Sequence, residues 1–151
     1  MKKYSLDELI NKANNNTRSV VISSGASKYS FSIVNNINGK RMTVSKALCA
    51  DLALDKTAYF LPVEETGNLL ISASPIGDNS SHCSLSGTDK KIAYNASLVQ
   101  MVTAAFKLDF TQKTSMSFAD IRIDNLNGNP VAIISIGEDA STIVGADVDE
   151  N

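Results

Sequence analysis

The residues best suited to chemistry are few and badly spaced for it. The single histidine, His82, adjoins Cys83, and the only other thiol is Cys49. A metal site wants three or four His, Cys or carboxylate ligands at recognisable spacing, and two thiols 34 positions apart with one histidine do not supply it. A nucleophile needs its base held within hydrogen-bond reach, and neighbouring side chains in the Ser/Gly/Asn-rich stretch 73–89 are poorly placed for that. Cys49, between Leu48 and Leu52, reads as a small core residue. Glu64 and Glu65 fall on a turn, where solvated charge outweighs acid–base work. The eight glycines are scattered and form no phosphate-binding loop. Catalysis is therefore not expected, nor is a cofactor.

Charge is the more informative chemistry. Residues 1–60 carry nine Lys/Arg against four Asp/Glu, whereas residues 61–151 carry five against twelve, which sums to the net −2. The basic residues Lys28, Lys40, Arg41, Lys46, Lys90 and Lys91 are the candidates for contacting an anionic partner. With an isoelectric point near 5.3, such a patch must be segregated from the acidic remainder. The competing expectation is that these lysines are solvated guards on strand edges.

The elements that must position these groups follow from periodicity. Ser5 and Glu8 form a capping box ahead of Leu6, Leu9, Ile10 and Ala13, which predicts a short helix over 6–13. A β-branched run centred on Val20, Val21 and Ile22 predicts a strand over 18–23. Tyr29, Phe31 and Ile33 alternate with Ser30 and Ser32, the period of a half-buried strand. Asn38-Gly39 predicts a hairpin turn into a strand over 40–44. Ser45 then caps a short helix, and strands over 57–63 and 68–72 flank a turn closed by Gly67. Beyond 73–89, a strand over 90–94, a helix over 97–107, a strand over 115–124 with a slip near Ala119-Asp120, a turn at Asn127-Gly128 and a strand over 131–136 are expected. Tyr29, Phe31, Tyr59 and Phe60 read as core fillers on strands.

Two stretches share an order. Lys40 to Ser45 lies fifty positions before Lys90 to Asn95; Leu48 then matches Leu98, Leu52 matches Val102, and Gly67-Asn68 matches Gly128-Asn129. A unit of this size cannot bury its own apolar face, but two packed together can. The expected fold is thus α+β, with two strand–helix–hairpin units packed as an intrachain pseudo-dimer beside an N-terminal helix and extra strands. The boundaries are 1–38 for the N-terminal helix and strands, 39–73 for the first unit, 74–89 for a linker, 90–136 for the second unit and 137–151 for a loosely held acidic tail.

The stretch GKRMTVSKALCADLALDKTAYFLPVEETGNLLIS, residues 39–72, resembles a swapped-hairpin module of the AbrB/MazE/SpoVT type. The pieces that carry the likeness are Lys40 to Val44, Ser45 to Leu52, Leu54, Tyr59 to Val63 and Gly67 to Ile71, with residues 90–136 as a diverged second copy. Ser45 and Lys46 stand where that family usually opens its short helix with proline. The resemblance implies DNA binding, in a transcriptional regulator or an antitoxin that also meets a protein partner, through Lys40, Arg41 and Lys46. The alternative expectation is a phage or mobile-element accessory, anti-defence protein that sequesters a host protein or a small nucleotide, steered by its acidic half. A homo-oligomer is compatible with either. No apolar run approaches a membrane span, and MKKYSLDELINKANNN lacks the apolar region of a signal peptide, so a cytoplasmic setting is expected.

Overall fold

Apolar residues at every second position need one shelter, and unbroken apolar runs need two. Both kinds occur here, and they sort into two antiparallel sheets in a mixed α+β chain. The computed structural model describes Leu6 and residues 28–136. Its strands are β1 (Phe31–Asn36), β2 (Gly39–Val44), β3 (Thr57–Val63), β4 (Asn68–Ser72), β5 (Ser81–Ser84), β6 (Lys91–Ala93), β7 (Ser115–Phe118), β8 (Ile121–Leu126) and β9 (Asn129–Ser135). Two α-helices are described over their whole length, α1 (Lys46–Leu52) and α2 (Ala96–Ala105). One sheet has the order β6-β2-β1-β7, the other β5-β3-β4-β9-β8.

The main core lies between the sheets. Phe31, Ile33, Met42 and Val44 of the four-stranded sheet meet Phe60, Leu69, Ile71 and Ile134 of the five-stranded one, with Leu48, Leu52, Val99 and Val102 of the helices closing the ends. The Phe31 and Phe118 rings pack tilted at 6.3 Å. The outer face of the five-stranded sheet is also apolar. Leu61, Val63, Leu70, Val131 and Ile133 form a second cluster covered by Ile76 and Leu6. Both faces being sheltered explains why every residue of β4 is buried.

Local signals account for the helix ends. Asn95 caps α2 by accepting from the Leu98 N–H at 3.0 Å. Ser45 precedes α1, but its hydroxyl accepts instead from the Ser30 N–H at 3.1 Å, pinning α1 to the start of β1. Leu6 is helical and 3% exposed. The rest of the helix expected over 6–13, the strand expected over 18–23 and the acidic tail lie outside the described residues.

Three expectations are corrected. The β1–β2 turn is Ile37-Asn38, not Asn38-Gly39: Asn36 pairs with Gly39, which already belongs to β2. No residue of this turn has a positive φ; the Asn36 side-chain oxygen accepts from the Asn38 N–H at 2.7 Å and tightens the bend instead. At Asn127-Gly128, by contrast, both residues do take positive φ, as the sequence predicts. Residues 74–89, expected as a linker, include β5, which pairs with β3 from Thr57↔Ser84 to Phe60↔Ser81. The single strand expected over 115–124 is two: the chain leaves the first sheet after Phe118 and enters the second at Ile121. The slip at Ala119-Asp120 is that crossing, and the Asp120 carbonyl accepts from the Ser135 N–H at 3.0 Å to hold it.

Candidate nucleic-acid interface

The six basic residues are placed by the register of β2 and β6. These strands pair antiparallel, Met42↔Ala93, Thr43↔Ile92 and Val44↔Lys91. Lys40 and Arg41 therefore fall at the end of the sheet bearing the β1–β2 turn, and Lys90 and Lys91 at the end bearing α1. Four residues of strand, about 14 Å, separate Lys40 from Val44. The six do not form one patch.

At the α1 end the positive charge is largely answered. Lys28 pairs with Asp51 at 3.3 Å, and its ammonium sits 5.4 Å from the Tyr29 ring centre. Asp51 also accepts from the Tyr29 hydroxyl. That hydrogen bond, then the one from Lys28, holds the Asp51 carboxyl below the usual carboxylate range, while it pushes the Tyr29 phenol up. Lys91 is only 9% exposed, because Val44 opposite it faces the core, and its ammonium donates to the Gly87 carbonyl at 2.8 Å. Lys46 and Lys91 line a pocket of about 320 Å³ whose walls also hold Asp55, Asp89 and Thr88. Cys49 lines it too; burial pushes its thiol up, partly offset by the neighbouring Lys91 backbone N–H and charge. Lys90 is exposed.

The turn end is different. Lys40 donates to the Asn36 carbonyl at 3.2 Å, which leans it toward the bend without neutralising it. Arg41 lies on the outward face beside Val34. That face presents Ser32, Thr43, Ile92, Ser115 and Ser117, none of them buried. The ion pair of Lys28 with Asp51 belongs to the other end, and among the described residues neither Lys40 nor Arg41 has a carboxylate within ion-pair distance. Two further residues join them. Tyr94, 66% exposed, directly follows Ala93, the last residue of β6, which pairs with Met42 next to Arg41. Lys113 sits next to Thr114, whose carbonyl accepts from the Asn35 N–H at 2.9 Å. The carboxylate nearest in sequence, Asp109, is held low mainly by the Thr111 hydroxyl and N–H, with Lys113 a smaller contributor.

Sequence reasoning missed Lys113, Tyr94 and the exposed Ile37. Lys113 and Tyr94 reach this end through strand pairing, which periodicity does not encode. Ile37 shares the parity of Phe31 and Ile33, so alternation assigns it to the core, yet the chain turns before it can enter.

The residues first weighed for catalysis fall apart in space. His82 and Cys83 are consecutive on β5, so they face opposite ways: His82 is exposed beside the Tyr59 ring at 5.0 Å, and Cys83 is buried. Cys83 lies on a strand rather than in the loose segment expected. No family model, curated protein or solved structure matches the chain. Among the described residues no helix is long and apolar enough to cross a membrane.

Proposed function

We propose that this chain is a non-enzymatic DNA-binding protein, an AbrB-like regulator or antitoxin-type module, whose two strand–helix–hairpin units act as an intrachain pseudo-dimer. The observation that carries the reading is the pairing of corresponding strands. The lead strands β2 and β6 pair antiparallel, and so do the closing strands β4 and β9. Antiparallel pairing of like strands is the arrangement that a local two-fold axis between the units gives wherever those strands meet. Duplex DNA would meet the turn end of the four-stranded sheet, where Lys40 and Arg41 stand without carboxylates and Lys113 and Tyr94 lie alongside.

Sequestration of a small nucleotide is the second reading, and it would use the pocket lined by Lys46 and Lys91. Asp55 and Asp89 line the same pocket and balance those two charges, so the turn end is the better anion surface.

The test is duplex binding across salt. Two to three phosphate contacts predict a slope of log affinity against log salt of roughly −2 to −3. A slope near zero, or no binding at about 50 mM salt, removes the reading.

A further inference from the structure

We propose that Ile37 is a wedge: the β1–β2 turn enters the minor groove and drives the Ile37 side chain between two base pairs, kinking the duplex. This rests on the DNA-binding reading above. Ile37 is 96% exposed, the most exposed large apolar side chain among the described residues. It occupies the first place of a two-residue turn, where Gly, Asn, Asp or Pro is the ordinary choice and a β-branched residue gains nothing for the fold. A side chain this open is available to a partner outside the folded chain.

The surroundings select the occupant. The tip is one apolar side chain flanked by Asn36 and Asn38, far short of the roughly 800 Å² per partner that a stable protein contact covers. The gap between stacked bases, however, takes one apolar side chain, and Ile is among the residues that serve as such wedges. Lys40 is tied to the turn at Asn36 and Arg41 follows it, so cations flank the tip where phosphates border the groove. The Asn36–Asn38 contact stiffens the bend. A wedge must hold its shape while it separates bases, and this one is already set.

The experiment is energy transfer between dyes on the two ends of a duplex of about 30 base pairs, with the intact protein at low salt. The proposal expects wild type to shorten the end-to-end distance, in keeping with a kink of roughly 20–90°. Ile37→Ala should lose most of the bend while its affinity falls by less than about tenfold, and Ile37→Met should keep the bend. The full exposure of Ile37 makes misfolding of either variant an unsuitable explanation. Wild type that binds without bending, or Ile37→Ala that bends as wild type does, overturns the wedge and leaves the DNA-binding reading standing. Wild type that binds no duplex overturns both.

Discussion

Lys40→Glu and Arg41→Glu, made together, should weaken duplex binding roughly a hundredfold, each lost charge-assisted contact costing about 1.5 kcal/mol. The melting temperature should stay nearly unchanged, because neither side chain has an ion-pair partner to lose among the described residues and neither belongs to either core cluster. The same reversal at Lys28 and Lys90 should matter far less. Lys28 is already engaged by Asp51, and Lys90 stands at the opposite end of the sheet. Electrophoretic mobility shift or fluorescence anisotropy at fixed low salt reads both pairs. Equal loss from the two pairs would mean that charge acts diffusely and that the turn end has no special role.

Phe60→Ala should lower stability by about 3–5 kcal/mol, a large share of the roughly 5–15 kcal/mol that holds a domain of this size together. Phe60 is fully buried on the inner face of β3, opposite Ile71 of β4, and belongs to the cluster that joins both sheets and both helices. Its removal leaves a hole that neighbours on two sheets cannot close without pulling the layers together. The urea midpoint should fall, with a melting temperature lower by roughly 10 °C. A loss under about 1 kcal/mol would show that the two sheets do not share one close-packed interior.

Much of the architecture was legible because it depends on patterns within single strands. The alternation of Phe31 and Ile33 marks β1 and its buried face, and the run from Val131 to Ile134 marks a strand sheltered on both sides. Asn127-Gly128 specified its own turn, since both residues tolerate the left-handed backbone found there. What depends on partners was not legible. Lys91 looks like a solvated strand lysine, and only its pairing opposite Val44 turns it inward. β5 has few apolar residues of its own; it exists because β3 offers it an edge. The break at Ala119-Asp120 appears in the sequence as a slip in the alternation, but which sheet each half joins is decided by Phe31 and Ile134 across from them. The candidate interface divides the same way. Lys40 and Arg41 were visible as a basic pair, whereas Lys113, Tyr94 and Ile37 join them only once β1, β2, β6 and β7 are aligned.

Backbone amide NMR during titration with a short duplex is the most direct check on where the anion goes. The account predicts that resonances from Asn36 to Arg41, with Tyr94 and Lys113, shift or broaden together while those of α1, β5 and β8 hold still. Perturbation centred on Lys46, Thr88 and Lys91, or no perturbation at all, would contradict it.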